Sequence, residues 1–386
     1  MRTSNTQVIL TCPQSIMIPI VRVVGDYCNL RCDYCFHSDS NRSAPQVMPE
    51  WSLEKLIAEY MALFSGRIAF VWHGGEPLLA GISFFQRIVE LQKKHLRSGQ
   101  SVRNSLQTNG TLINDQWATF FKEHGFRIGV SLDGTEETHN RFRKMGTDGS
   151  SYDRVLEGIT TLRRNGIEPG IIQTITRSNL KRYMENFQFF VHELHLNGWG
   201  INPFLDVGAA NDHMRGESLT SGELYGLLKQ LIDFWISTDN PNLCIREIEN
   251  LAAGVFGKQT LNCSYNGCCT GFFCVEHDGR VYPCDRLTGH PEYLFGDLSS
   301  QPLHDILNSS VRLHYASAAN SLHPECAACE WQSACHNGCT HHRLGDVSSK
   351  YYFCDTRKQI FPYLKSIFEN YGVVAPILDQ KRRRKT

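Results

Sequence analysis

The sequence predicts an α/β fold in which a parallel sheet curves into a partial (β/α)6 barrel and is followed by a small cysteine-rich domain. Two observations carry the prediction. From residue 16 to residue 203, short apolar runs alternate with amphipathic segments in six strand-then-helix repeats, the pattern of a parallel sheet with helical crossovers. From Cys263 onward the runs shorten and cysteines dominate.

Ile16 to Val24 is apolar and reads as a buried strand, with a three-cysteine loop after it. Ser52 is placed to cap a helix running to Phe64, with Leu53, Leu56, Ile57, Tyr60 and Leu63 on one face. A strand at 68–72 leads into His73-Gly74-Gly75-Glu76-Pro77. A helix at 82–96, a strand at 102–106 ending in Gln107-Thr108-Asn109-Gly110, a helix at 115–124 and a strand at 127–132 ending in Asp133-Gly134 come next. The repeat closes with a helix at 152–165, a strand at 170–175, a helix at 180–194 and a strand at 198–203. In such folds the C-terminal strand ends form the ligand-binding rim. Cys28, Cys32, Cys35, residues 73–77, Thr108, Asn109, Ser131, Asp133 and Asn202 are therefore expected at one mouth. The expected organisation is a barrel at 14–205, a helical linker region at 206–260, a cysteine-rich domain at 261–370 and a basic tail at 371–386. The linker starts with a polar loop at 206–217 and carries a helix at 221–236, and a helix at 355–368 closes the cysteine-rich domain.

Of the 386 residues, 41% are hydrophobic and 20% charged, as in an ordinary soluble globular protein. Lys+Arg and Asp+Glu both number 39, so no global charge points to nucleic acid. The basic run Lys381–Lys385 reads as a solvated tail. No apolar run reaches the ~20 residues of a membrane span. Asn5, Gln7, Cys12, Pro13 and Gln14 break up any signal-peptide core. Fifteen cysteines is the outlier. Their odd number and tight grouping, without an export signal, favour metal binding in a reducing cytoplasm over disulfides, and an oxygen-sensitive activity.

Cys28-x3-Cys32-x2-Cys35 can hold three irons of a [4Fe–4S] cube and leave the fourth open. A zinc knuckle is the competing reading, but zinc wants a fourth ligand. Glycines at 74 and 75 let a ligand approach the backbone, and an exposed edge with Glu76 can meet an ammonium group. Together these segments resemble the radical SAM superfamily. The resemblance implies S-adenosylmethionine as cofactor, with Gly74, Gly75 and Glu76 on its amino group and the Tyr34 backbone on its adenine. Ser131 and Arg143 match residues that contact its ribose and carboxylate.

Cys263, Cys269, Cys284, Cys326, Cys329, Cys335, Cys339 and Cys354 make eight further thiols, enough for two [4Fe–4S] clusters or two structural zincs. The spacing C-x2-C-x5-C-x3-C with a late cysteine is similar to the SPASM domain of radical SAM enzymes that modify peptides and proteins. That resemblance implies three [4Fe–4S] clusters in all. Cys263, Cys269, Cys284 and Cys339 would hold the auxiliary cluster nearer the substrate. Cys326, Cys329, Cys335 and Cys354 would hold the outer one. Cys12, Cys244, Cys268 and Cys274 remain as buried free cysteines, with Cys268 the alternative to Cys269 as ligand.

Asp285 follows a cluster ligand, and in sulfatase-maturing relatives an aspartate here takes a proton from the substrate. It is the candidate general base, with a salt bridge to Arg286 as the plainer reading. Those relatives usually carry glutamine before GGEP where this chain has His73. WHGGEPLL, YPCDR and the His-rich 335–342 look more like maturases of ribosomal peptides, including those that forge cyclophane links. No winged-helix leader-binding domain of ~80 residues precedes Cys28, so a leader would bind elsewhere or on a separate protein. The expected function is hydrogen abstraction from a precursor peptide with formation of a carbon–carbon crosslink, fed by a flavodoxin or ferredoxin. The alternative is conversion of Cys or Ser in a sulfatase to formylglycine. A non-catalytic zinc or electron-transfer protein is the remote third reading.

Overall fold

The computed structural model describes residues 8, 17–36, 46–146, 149–206, 214–240, 242–258, 260, 262–343 and 346–371. Cys12, the polar loop's residues 207–213 and the tail at 372–386 lie outside them. In chain order the strands are β1 (Ile18–Arg22), β2 (Leu30–Cys32), β3 (Arg67–His73), β4 (Ser101–Thr108), β5 (Arg127–Ser131), β6 (Arg143–Met145), β7 (Gly149–Ser150), β8 (Gly170–Ile175), β9 (Gly198–Pro203), β10 (Cys244–Ile245), β11 (Phe272–Glu276), β12 (Arg280–Tyr282) and β13 (Gly296–Asp297). Helices α1 (Glu50–Leu63), α2 (Ile82–His95), α3 (Asp115–Glu123), α4 (Glu136–Phe142), α5 (Tyr152–Arg164), α6 (Arg177–Leu180), α7 (Tyr183–Gln188), α8 (Ser221–Ser237) and α9 (Arg246–Val255) run among them.

All the expected barrel strands form and neighbour one another in parallel, in the order β9-β8-β5-β4-β3-β1. Alternation drives this. In β3, Ile68, Phe70 and Trp72 are fully buried, and Phe70 stacks on Trp72 at 5.4 Å. Two helices depart from expectation. Pro49, extended at φ −66° and ψ 150°, occupies the cap position of α1, and Ser52 lies buried inside the first turn, donating its N–H to the Pro49 carbonyl. The helix foreseen at 180–194 begins earlier, because Thr176 and Asn179 form a capping box, and it breaks into α6, α7 and a π turn at Phe189–Glu193.

The sheet does not stop at residue 205. β10 joins β9, and β11 from the cysteine-rich region pairs in parallel with β1, from Ile18↔Phe272 to Arg22↔Glu276. Phe273, Cys274 and Val275 are fully buried, as suits a strand covered on both faces. The antiparallel β12 and β13 complete a ten-stranded sheet. A small second sheet, β2-β6-β7, sets Cys32 opposite Arg143. The closing helix Cys354–Tyr371 packs on α8 and α9, with Phe368 5.4 Å from Phe256. No helix among the described residues is long and apolar enough to cross a membrane.

Candidate active site

The three-cysteine loop leaves the C-terminal end of β1 and is stitched to two neighbouring strand ends. Gly75 N donates to Gly25 O at 2.7 Å and Glu76 N to Tyr27 O at 2.9 Å. A Cβ at Gly75 would lie 2.0 Å from Tyr27 O, and Gly74 has φ +116°. The glycines therefore let the GGEP loop run against the cysteine loop itself. Glu76 is fully buried. Its Oε1 accepts from Leu78 N and Thr108 Oγ1, and its Oε2 from Asn109 N. Burial pushes its pKa up to about 7, against those three hydrogen bonds. Asn109 Nδ2 reaches Asn29 Oδ1 at 2.8 Å and Cys28 Sγ at 3.7 Å, tying the end of β4 to the cysteines.

Tyr34 and Arg143 meet at Asp133, which is fully buried. Tyr34 donates its hydroxyl to Asp133 Oδ2, and Arg143 Nε donates to the same oxygen at 3.1 Å, with the guanidinium over the Tyr34 ring at 5.2 Å. Arg143 is thus a buried residue of β6. Ser131, at the end of β5, accepts from Gln107 Nε2 at 3.1 Å. Asn202 accepts from Arg246 Nη2 at 2.9 Å and lies in register with Thr174, whose N–H donates to Asp133 Oδ1 at 3.0 Å.

His73 and Asp285 come together: Nδ1 and Oδ2 are 3.9 Å apart, both side chains partly exposed. Arg286 Nη1 contacts His342 Nε2 at 3.1 Å, and its guanidinium sits over Phe36. Burial, then Arg286, pushes the His341 pKa down to about 3, and His342 is driven down for the same reasons. Arg22, at the end of β1, is buried and pairs with Glu276 and Asp26. It also donates to Thr288 Oγ1 at 2.9 Å, and Thr288 in turn donates to Asp285 O at 3.0 Å.

The cysteines fall into three neighbourhoods. Cys28, Cys32 and Cys35 act on one another electrostatically. Cys263, Cys269, Cys284 and Cys339 form a second such set, and Cys326, Cys329, Cys335 and Cys354 a third that lines one concavity. Burial and Glu76 push Cys28 up to about 12, and burial raises Cys32, Cys263 and Cys284 as well. Thiolates in such places need a cation, which an iron centre supplies. Among the described residues, no three His, Cys, Asp or Glu side chains converge closely enough for a single ion. Each of the two sets of four brings together the number of thiolates that a fully ligated [4Fe–4S] cluster takes. Cys269 takes its place in the second set, accompanied by Tyr315 and Thr340 hydroxyls at 3.3 and 3.0 Å. Cys268, expected to be free or the alternative ligand, is buried and disulfide-bonded. Cys274 is free and buried in β11, and Cys244 is half-buried in β10.

Residues 23–179 match the Radical SAM superfamily, and residues 268–330 match SPASM, an iron-sulfur cluster-binding domain. A cysteine-type anaerobic sulfatase-maturating enzyme of Clostridium perfringens (strain 13) is 30% identical over 353 residues, which span 89% of this chain and 95% of that one. The chain belongs to the radical SAM family that contains the anaerobic sulfatase-maturating enzymes. A serine-type enzyme of this family from Bacteroides thetaiotaomicron is 29% identical over 380 residues, spanning 93% of this chain and 90% of that one. The solved structure of native anSMEcpe with bound AdoMet and the Cp18Cys peptide superposes with TM-score 0.82 at 28% identity, over 92% of this chain and 99% of that one. As a radical SAM enzyme with a SPASM domain, the chain uses S-adenosylmethionine and [4Fe–4S] clusters, with auxiliary clusters in the SPASM region.

Sequence reasoning placed Asp133 and Asn109 at the mouth without giving them partners, and it missed Arg22 and Glu276 as site residues. A signal existed for both: each is a lone charge in an apolar strand, IPIVR and FFCVE. A buried strand tolerates a charge only when a partner awaits it.

Proposed function

We propose that this radical SAM enzyme oxidises the Cβ of a cysteine or serine in a sulfatase-type peptide to formylglycine. The observation that carries the reading is the likeness, over nearly the whole chain, to both cysteine-type and serine-type sulfatase-maturating enzymes. The carbon–carbon crosslinking anticipated from His73, YPCDR and the His-rich stretch gains no such support. His342 is buried and paired with Arg286, and His341 is pushed to about 3 mainly by burial, which makes packing the simpler use of that stretch.

In this reading Cys28, Cys32 and Cys35 hold the cluster that meets S-adenosylmethionine. Gly74, Gly75 and Glu76 receive its amino group: Glu76 Oε2 accepts one hydrogen bond, from Asn109 N, and keeps a lone pair for an ammonium. The Tyr34 backbone meets the adenine. Ser131 and Arg143 meet the ribose and carboxylate, Arg143 using the nitrogens it does not spend on Asp133. Cys263, Cys269, Cys284 and Cys339 hold the nearer auxiliary cluster, and Cys326, Cys329, Cys335 and Cys354 the outer one. When bound, these groups supply the radical that takes a hydrogen atom from Cβ and the acceptor for the electron that leaves next. Asp285 takes the thiol or hydroxyl proton, and His73 positions that carboxylate. A serine then becomes the aldehyde directly, while a cysteine becomes a thioaldehyde that water converts to the aldehyde with loss of hydrogen sulfide. A flavodoxin- or ferredoxin-like protein would provide the starting electron.

The test is anaerobic incubation of reconstituted enzyme with S-adenosylmethionine, dithionite and peptides bearing Cys or Ser in a sulfatase context. The expected product exchanges sulfur for oxygen and loses two hydrogens at Cys, or loses two hydrogens at Ser, and is trapped by a hydrazide. Loss of two hydrogens from the product of a neighbouring short gene, with no trappable carbonyl, would replace this reading with crosslinking.

A further inference from the structure

Arg357, on the closing helix just after Cys354, is only 4% exposed. Its guanidinium carbon lies 4.0 Å from the ring centre of Tyr265, 5.3 Å from Tyr351 and 5.9 Å from Phe361. Nη2 donates to Ser264 O at 3.2 Å. Nη1 is buried and has no acceptor among the described residues. Against the cost of burial, Tyr265, Tyr351 and Cys335 act on its charge, and Tyr351 also takes a side-chain hydrogen bond from it. An arginine cannot shed its proton to escape such a place. A buried cation without an anion is unfavourable, and so is a buried N–H without an acceptor. One partner would answer both: an anionic group in the concavity that Arg357 shares with Cys326, Cys329, Cys335 and Cys354.

We propose that Arg357 tunes the outer auxiliary cluster: its Nη1–H donates to a sulfur of the iron centre held by those four thiols, and its charge offsets the negative charge of that centre and raises its reduction potential. The inference rests on the assignment of these thiols to a cluster made above. Charge and hydrogen bonds to sulfur are the two levers by which a protein sets such potentials, and burial keeps water from screening either. The aromatic box contributes by holding the planar fork in one orientation. Lys358, which also lines the concavity, is a flexible and strongly hydrated charge, less suited to the task.

The experiment is a potentiometric titration of reconstituted holoenzyme, followed by electron paramagnetic resonance. Arg357→Met should lower the midpoint of the outer cluster by about tenfold in the one-electron equilibrium, about 59 mV, and leave the other two clusters unmoved. Arg357→Lys, which keeps the charge but loses the fork, should shift it less. Iron and sulfide are counted first, in wild type as well: a wild-type protein short of one cluster overturns the ligand assignment, whereas a full count with an unmoved outer midpoint in Arg357→Met overturns only the tuning role. Should Arg357→Met lose the cluster, wild-type protein carrying 15N-arginine decides by electron–nuclear double resonance. A 15N and exchangeable-proton coupling on one auxiliary cluster supports the proposal, and its absence overturns it.

Discussion

His73 Nδ1 lies 3.9 Å from Asp285 Oδ2, although one residue ends a barrel strand and the other follows a hairpin of the cysteine-rich region. β1 makes the meeting possible. It lies between β3 and β11, so its last residue, Arg22, faces His73 on one side and Glu276 on the other. Arg22 then fixes the Asp285 turn through Thr288. The proposed base is thereby mounted on the barrel that holds the radical chemistry rather than on a loosely attached domain.

Asp285→Asn should uncouple cofactor cleavage from product. Loss of a general base costs about 10²–10⁴-fold in rate, so aldehyde should fall by that order while 5′-deoxyadenosine continues to form. In the proposed mechanism His73 positions Asp285, so His73→Ala should lower aldehyde yield by about tenfold, at the weak end of such effects, and His73→Gln should recover most of it. The readout is the ratio of aldehyde to 5′-deoxyadenosine by mass spectrometry. Wild-type aldehyde yield from Asp285→Asn would remove Asp285 from the role.

Arg22→Met tests the clamp. It takes the guanidinium away from Glu276 and Asp26, Glu276 being buried. Removing one partner of a buried pair costs about 3–5 kcal/mol. Chemical denaturation should show a loss of that order. A double change with Glu276→Gln should recover part of it, because the buried carboxylate charge is gone. A loss below about 1 kcal/mol, the worth of an exposed pair, would show that Arg22 does not hold the two regions together.

The barrel was legible in the sequence because its strands carry apolar runs and its helices carry one apolar face. The run at Arg127 to Leu132, for example, became β5 with Ile128 and Val130 buried. The cysteine sets were legible because thiol spacing is chemistry written directly in the chain. What escaped was whatever depended on pairing. β2, β6 and β7 are two or three residues long, too short for any period, so the placement of Arg143 against Cys32 had no local trace. β11 looked like one more short run beside cysteines, and only its register with β1 shows that it extends the barrel. The glycines of GGEP were recognised as necessary, but the neighbour they make room for, the Tyr27 carbonyl, is set by tertiary structure.

Iron counting separates the three cysteine sets. The holoenzyme should carry about twelve irons, four per cluster. Replacing Cys28, Cys32 and Cys35 together by Ala should remove about four and abolish formation of 5′-deoxyadenosine. Replacing Cys326 and Cys329 should also remove about four, yet leave the Cys263, Cys269, Cys284 and Cys339 signal in place, because the concavity that Cys326 and Cys329 line includes none of those four. Loss of all auxiliary signal from the Cys326/Cys329 change would contradict the division into two sets.

His139 gives the protein a pH dependence that can be measured without any cofactor. It is fully buried on α4; its Nδ1 accepts from Asp133 N at 3.4 Å and its Nε2 meets Ser151 Oγ at 3.0 Å, while Ser151 donates to Arg143 O at 2.6 Å. A neutral ring therefore braces the turn that carries Asp133 and the strand that carries Arg143. Burial, opposed by Asp133 and aided by Arg143, pushes its pKa from the ordinary 6.5 down to about 3. Between those values the unfolded chain binds the proton and the folded chain does not, so this contribution is fully present above pH 6.5 and is lost as pH falls. The slope approaches about 1.4 kcal/mol per pH unit well inside the window. His139→Gln cannot titrate. The stability of wild type minus that of the variant, taken from denaturant curves at pH 7.5, 6.5, 5.5 and 4.5, should stay flat in the first interval and then fall, approaching that slope in the last. A difference that does not change with pH would mean that His139 takes up its proton in the folded chain as readily as in the unfolded one, so that burial does not hold the ring neutral below pH 6.5.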